Sequence, residues 1–158
     1  MRYNHAAISV SDIDRALTLY RDLLGLHVVS DAILPDDAAR LQIDPDQLSE
    51  SMRVADARAR VVALRLNDTD ESFLELLELL SPSVRHLPCE FQHYWYTGIK
   101  EVAFSVTDVD SWFGRVKAAG YTTQTRAVWS AAGVMRSFIF HDGDANRIQL
   151  VKQIGSLG

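Results

Sequence analysis

The feature that most constrains the fold is a ten-residue stretch that occurs twice. The stretch "HAAISVSDID" at residues 5–14 aligns without a gap on "EVAFSVTDVD" at residues 101–110. Each copy begins with an alternating apolar run, which predicts a strand. Each ends in a Ser-Asp or Thr-Asp pair, whose side-chain oxygens can cap a following helix. The sequence therefore predicts a duplicated strand–helix module.

The same order of elements follows both copies. Apolar residues recur at spacings of three and four, which predicts a helix packed on a sheet, and Gly25 and Gly120 end these helices. Strand-like runs come next. In the first half they are Leu26–Val29, Ala59–Leu66 and Ser72–Leu80, and in the second Tyr121–Trp129, Val134–His141 and Arg147–Gln153, with "HDGDANR" as a turn between the last two. This order predicts an α+β fold of two tandem βαβββ modules.

The module boundaries follow from prolines and composition. We predict a first module at residues 1–80, a linker at 81–97 and a second module at 98–158, together forming one structural domain. The linker contains two prolines and many aromatic residues. The first module has an additional acidic segment at about 30–56, predicted to be a long loop with a short helix near residues 36–41.

Composition excludes several classes of protein. The net charge is −5, with 16 basic and 21 acidic residues, and the scattered basic residues give no nucleic-acid footprint. The single cysteine excludes an internal disulfide and is compatible with a reducing compartment. No apolar run is long enough for a signal region or a membrane span. We therefore expect a soluble cytoplasmic protein that binds neither nucleic acid nor membrane.

Four polar residues occupy equivalent positions in the two halves. Aligning "FLELLEL" (73–79) with "RIQLVKQ" (147–153) places Glu75 over Gln149, and the repeated stretch places His5 over Glu101. Period-2 alternation turns Glu75 and Gln149 away from their apolar neighbours. If the halves pack about a pseudo-twofold axis, the four side chains converge.

The chain resembles the vicinal oxygen chelate superfamily, the glyoxalase and bleomycin-resistance group. The resemblance rests on "HAAISVSDIDRALTLYRDLLGL", "FLELLEL", "GIKEVAFSVTDVD" and "FHDGDANRIQLV". It implies two βαβββ modules whose mixed sheets curl around a central cavity. It also implies one divalent metal, held by the residues at the family's ligand positions. These are His5, Glu75, Glu101 and Gln149.

Two of these positions depart from the family's usual pattern. Many members have His where this chain has Glu101, and Glu where it has Gln149. The set contains one imidazole, two carboxylates and one amide. It is compatible with Zn, Ni, Co, Mn, Fe or Mg, and the donor types do not distinguish among these metals. The resemblance implies a glyoxalase-like lyase, isomerase or epimerase that moves a proton next to a carbonyl, with Glu75 or Glu101 as the catalytic base. A family member that no longer binds metal would also lack the usual side chains at these positions.

Two alternatives therefore stay open: a metal-free small-molecule or antibiotic-binding protein, and a natural-product biosynthetic enzyme using the same cavity. Five further residues could bind a small-molecule substrate or belong to core or surface. These are Tyr94 and Tyr96 in the aromatic stretch "FQHYWYTG", and Trp129, Met135 and Arg136 in the second module. The resemblance also makes a homodimer the expected assembly.

Overall fold

The computed structural model describes residues 1–41 and 43–156. The chain forms two compact units, which meet in sequence between His86 and Leu87, inside the stretch predicted to be a linker. Each unit contains one four-stranded mixed sheet and follows the order strand, helix, three strands. The predicted α+β fold with two βαβββ modules is confirmed.

The first unit contains four strands and three helices. They are β1 (His5–Ser9), α1 (Ile13–Leu17), β2 (His27–Leu34), α2 (Ala38–Leu41), α3 (Pro45–Met52), β3 (Arg58–Arg65) and β4 (Phe73–Ser81). A π-helical turn, Thr18–Leu23, continues α1. The strand order is β1-β4-β3-β2, with β1 parallel to β4 and the other pairs antiparallel.

The second unit repeats this arrangement with shorter connections. Its elements are β5 (Val102–Ser105), α4 (Val109–Ala118), β6 (Trp129–Ala131), β7 (Met135–His141) and β8 (Arg147–Gln153), preceded by a short 3₁₀ helix at Cys89–Gln92. The strand order is β5-β8-β7-β6, with β5 parallel to β8. None of the helices in the described part of the chain has the length and apolar character needed to cross a bilayer.

The start of α1 is fixed by two carboxylates. Asp12 accepts a hydrogen bond from the Arg15 amide at 2.9 Å, as an N-cap does. Glu78, on β4, accepts one from the Ile13 amide, also at 2.9 Å. Both bonds satisfy amides that have no partner within the helix. They seat the fully buried Ile13 against the helix-facing side of the sheet.

An ion pair between a helix and a strand is repeated in the two units. Asp14, in the first turn of α1, accepts a hydrogen bond from Arg60 of β3 at 2.8 Å. Asp110, in the first turn of α4, accepts two from Arg136 of β7, at 2.5 and 2.9 Å. The duplication therefore extends to the side-chain contacts that dock each helix.

The segment at 30–56 is more ordered than the predicted loop. β2 continues to Leu34 past a bulge between Val28 and Ser30, since Asp31 pairs with Arg60 across to β3. Two helices then follow, of which only the first was expected. The second, α3, has a recognisable start, because Asp44 caps it and Pro45 occupies its first turn.

The segment at 121–129 is less regular than the predicted strand. Only Trp129 at its end belongs to β6, and Thr123 makes an isolated bridge to Phe140. The Thr125 hydroxyl donates to the Ala127 carbonyl at 2.9 Å, so this polar stretch bonds partly to itself. Such local side-chain bonds compete with a regular strand ladder.

Candidate functional site

Each sheet has one face that packs on its helix and one that does not. In the first unit Leu74, Leu76 and Glu78 of β4 point towards α1, and the residues between them point the other way. Parallel pairing of His5 with Phe73 and of Ala7 with Glu75 places β1 in register with this second face. We call it the open face of the first unit.

His5 stands at one end of the open face. Its ring stacks on Phe73, with centroids 4.8 Å apart and planes inclined by 14°. Its Nδ1 lies 2.7 Å from Oδ1 of Asn4. An amide oxygen accepts, so Nδ1 is the ring nitrogen that donates in this contact, and Nε2 makes no hydrogen bond within the described residues. Metal-binding histidines are oriented in the same way by a partner on the other ring nitrogen.

Glu75 is a half-buried carboxylate on the open face. Its cross-strand neighbours are the small residues Ala7 and Ala63, which leave space above it. Within residues 1–41 and 43–156, its carboxylate accepts no hydrogen bond and joins no ion pair. From sheet spacings the Cα atoms of His5 and Glu75 lie about 8 Å apart, which lets both side chains reach one common atom.

A partly open pocket of about 950 Å³ lies on this unit and begins at Leu77, the next residue of β4 after Glu75 on the open face. Leu77 and Leu79 of β4 line it from the same strand, on the same face as Glu75. The rest of its lining includes Met52, the last residue of α3, then Val54, and the stretch after β4 that includes Val84. The volume is at the upper end of that found for sites that bind drug-sized molecules.

The second unit repeats the register of the first. Ala103 pairs with Gln149 as Ala7 pairs with Glu75, so the predicted alignment of the two last strands holds in three dimensions. Gln149 is 7% exposed, and its amide makes no hydrogen bond within the described residues.

Glu101 differs from His5 in its surroundings as well as its chemistry. It is half-buried, and its Oε2 accepts a hydrogen bond from the Tyr94 hydroxyl at 2.6 Å. The Arg147 guanidinium lies over the Tyr94 ring, 5.0 Å from its centroid. Partial burial of the phenol and its bond to Glu101 raise the pKa of Tyr94. Arg147 occupies the position in β8 that Phe73 occupies in β4. In the second unit, therefore, a guanidinium and the Glu101 carboxylate both contact Tyr94.

The remaining predicted substrate residues fall into three groups. Trp129 and Met135 lie on the same face of their sheet as Gln149. Arg136 lies on the opposite face and donates two hydrogen bonds to Asp110 of α4. Tyr96 packs on other rings of the aromatic stretch, with its centroid 5.0 Å from that of Phe91.

The donor chemistry fits a divalent cation in part. Within residues 1–41 and 43–156, no three or more His, Cys, Asp or Glu side chains form a group that could hold a metal ion. Nε2 of His5 and the Glu75 carboxylate are both free, and they suit Zn, Ni, Co, Mn or Fe. This pair is not a complete ligand sphere. A metal there needs further donors, such as an amide oxygen, water or the substrate.

Sequence reasoning missed Arg147 and the pocket of the first unit. The sequence pattern indicates the position of Arg147 and the part of the pocket that β4 forms. Aligning the second half on the first places Arg147 at the strand position of Phe73, directly before Ile148, which pairs with Val102. The alternation in "FLELLEL" places Leu77 and Leu79 beside Glu75 on one face. The parts of the pocket that come from residues 52–54 and 82–85 had no such signal.

The fold has solved relatives with different activities. A glyoxalase family protein from Bacillus cereus is 18% identical, with a TM-score of 0.77 over 98% of this chain and 95% of that one. The trypanothione-dependent glyoxalase I of Leishmania major is 20% identical, with a TM-score of 0.63 over 96% and 86%. The antibiotic-binding protein TnmS3 from Streptomyces sp. CB03234 is 14% identical, with a TM-score of 0.60 over 98% and 97%. At these identities the likeness shows the fold alone.

No curated protein sequence matches this chain significantly. The family model of the glyoxalase/bleomycin resistance protein/dioxygenase superfamily matches residues 2–150. This span contains both copies of the repeated stretch and both last strands. The chain therefore belongs to the glyoxalase/bleomycin resistance protein/dioxygenase superfamily.

Proposed function

We propose that this protein is a metal-dependent enzyme of the lyase, isomerase or epimerase type, acting by proton transfer next to a carbonyl of a small molecule. The observation that carries the proposal is Glu75, a half-buried carboxylate that has no partner among residues 1–41 and 43–156 and shares a sheet face with His5. A carboxylate among apolar neighbours raises the free energy of the fold unless something compensates it. Such residues are frequent at functional sites.

Glu75 would remove the proton in this mechanism. Its carboxylate has no hydrogen bond from the described part of the chain to break before it accepts a proton. The alanines that flank it leave room for a substrate carbon to approach. General-base catalysis of this kind contributes on the order of 10²–10⁴ to the rate.

His5 and Glu75 would hold a divalent metal from the first unit, and Glu101 and Gln149 are its proposed further ligands. A bound metal would supply Lewis-acid polarisation of the substrate oxygen atoms. Tyr94 would orient the Glu101 carboxylate through its hydrogen bond. Gln149 could supply its amide oxygen or donate to the substrate, since its side chain has no hydrogen-bond partner in the portion of the chain that the structure describes.

The experiment compares metal content in the wild type, Glu75→Gln and Glu78→Gln after purification without chelator and reconstitution with Mn, Co, Ni and Zn. Glu78 is the matched control, because it lies on the same strand but faces α1. We expect about one metal per chain in the wild type and in Glu78→Gln, and little in Glu75→Gln. Turnover of α-hydroxycarbonyl, diketone or thioester substrates should fall about 10²–10⁴-fold in Glu75→Gln.

Two results would argue against the proposal: a wild type that takes up none of the four metals, or a Glu75→Gln variant that keeps its metal. Glu101→Gln and Gln149→Leu test the ligands of the second unit separately. If both keep wild-type affinity, the metal is held without them.

Arg147 supports a second candidate, a metal-free binding protein. Its guanidinium is a built-in cation in the half that contains Glu101, and two of its nitrogen atoms are buried without a hydrogen-bond partner. An internal cation can balance a carboxylate without a metal. Saturable ligand binding in EDTA, together with no metal uptake, would favour this candidate over the enzyme.

We also propose a cytoplasmic homodimer, as the family resemblance implies. Sedimentation equilibrium would measure the mass directly. A species of one chain at all concentrations would contradict the dimer.

A further inference from the structure

We propose that the pocket of the first unit takes an amphipathic carboxylate, whose apolar body lies on Leu77 and Leu79 and whose charged end is bound by Arg85. This inference names the substrate class of the proposed enzyme. It rests on the proposed function only in placing the reacting carbonyl at Glu75.

The pocket wall is mainly apolar where β4 forms it. Leu77 and Leu79 present their side chains on the open face, and Met52, Val54 and Val84 are further apolar residues of the lining. Methionine adapts to ligands of irregular shape, because its side chain is unbranched and polarizable. A volume of about 950 Å³ is suited to a drug-sized molecule rather than to a fragment of a few carbon atoms. The body of the ligand should therefore be large and apolar.

Arg85 gives the pocket an unbalanced positive charge. Several arginines of this unit are paired with carboxylates: Arg2, Arg21, Arg40, Arg58 and Arg60. Arg85 lines the pocket and has no carboxylate partner among residues 1–41 and 43–156. In a chain of net charge −5, such a guanidinium is a local site for an anion. Carboxylates are well matched to its planar fork of donors.

Glu75 sets the direction in which the ligand lies. Leu77 is the next residue of β4 on the same face, so the pocket begins about 6.6 Å along the strand from Glu75. The negative charge of Glu75 disfavours a second carboxylate at that end. A ligand seated on the two leucines should place its anionic group at Arg85 and its neutral, reacting end at Glu75.

The test uses two fluorescent naphthylamines that differ in charge. 8-Anilinonaphthalene-1-sulfonate is an anion, and N-phenyl-1-naphthylamine has the same rings without the sulfonate. Titrations are run in EDTA with the wild type, Arg85→Gln and the control Arg21→Gln. The control removes the same charge from a solvent-exposed pair with Asp22, away from the pocket.

We expect Arg85→Gln to weaken binding of the anionic dye about two- to fivefold, the range for an exposed charge pair, and to leave the neutral dye unchanged. Arg21→Gln should change neither. Leu79→Gln should weaken both dyes about tenfold, because it removes apolar contact area. Met52→Gln, in the part of the lining outside β4, gives a second test in case Leu79→Gln does not fold.

The proposal is overturned if the neutral dye does not bind saturably, if Arg85→Gln and Arg21→Gln affect the anionic dye equally, or if neither Leu79→Gln nor Met52→Gln weakens binding. The titrations contain no metal. Their failure is therefore distinguishable from failure of the proposed function, which is measured by metal uptake.

Discussion

Replacing Glu75 by leucine should make the metal-free protein more stable. The native carboxylate is half-buried between Ala7 and Ala63 and has no hydrogen-bond partner among the described residues. Leucine removes the desolvation penalty of the charge and adds apolar contact beside Leu77. We estimate a gain of about 1 kcal/mol, the usual scale for such a replacement at a functional position. For a protein of this size that raises Tm by about 2–4 °C.

Glu78→Leu, on the same strand, should destabilise the protein. The Glu78 carboxylate accepts a hydrogen bond from the Ile13 amide at 2.9 Å, so its loss leaves the first turn of α1 without that partner. We expect a loss of about 1–2 kcal/mol, the scale of an N-cap deletion. Thermal unfolding followed by circular dichroism in EDTA measures both variants. If Glu75→Leu destabilises the protein as much as Glu78→Leu does, Glu75 is a structural residue and the reasoning is refuted.

Two predictions concern the hairpin between β7 and β8. Asp142 is 8% exposed and accepts hydrogen bonds at 2.9 Å from the amides of Asp144 and Asn146. Asp142→Ala should therefore lower the free energy of unfolding in urea by about 2–3 kcal/mol. An unchanged unfolding midpoint would contradict this. Burial, and then the charge of Arg147, lowers the pKa of His141, so the unfolded chain binds this proton at a higher pH than the folded one. The stability of the folded protein should therefore fall as the pH drops below about 6.5. Between neutral and mildly acidic pH, the Tm of His141→Gln should fall less than that of the wild type. An equal fall in Tm would contradict this role of His141.

The sequence predicts the fold because the repeat is visible in both patterning and capping. Strand alternation, Asp12 and Asp108 as N-caps, and a glycine at the end of each helix all indicate the same element order. Gly25 and Gly120 have φ of +83° and +88°, a conformation that few other residues adopt. Where local signals were weaker the prediction was less accurate. β2 extends five residues beyond the predicted Val29. In this extension Asp31 accepts a hydrogen bond from Arg60 of β3, a long-range contact that no window of sequence reveals.

The candidate site could be predicted in position but not in environment. Pairing of the first and last strand follows from aligning the halves, and it correctly places Gln149 in the register of Glu75. The hydrogen bond from Tyr94 to Glu101 depends on the path of the chain through the aromatic stretch. The pocket likewise depends on where α3 ends relative to β4. Contacts of this kind arise from tertiary packing, and short-range patterns do not determine them.

The two halves have kept one backbone arrangement while their exposed chemistry has diverged. By alignment of the halves, Glu101 and Arg147 occupy the positions of His5 and Phe73, so the stacked rings of the first half correspond to a carboxylate and a guanidinium that both contact Tyr94 in the second. Glu75 corresponds to Gln149, so a carboxylate has become a neutral amide. The first half therefore retains free donors, whereas the second has a carboxylate that is already hydrogen-bonded and accompanied by a guanidinium. This asymmetry makes the first unit the place where proton transfer and ligand binding should first be sought.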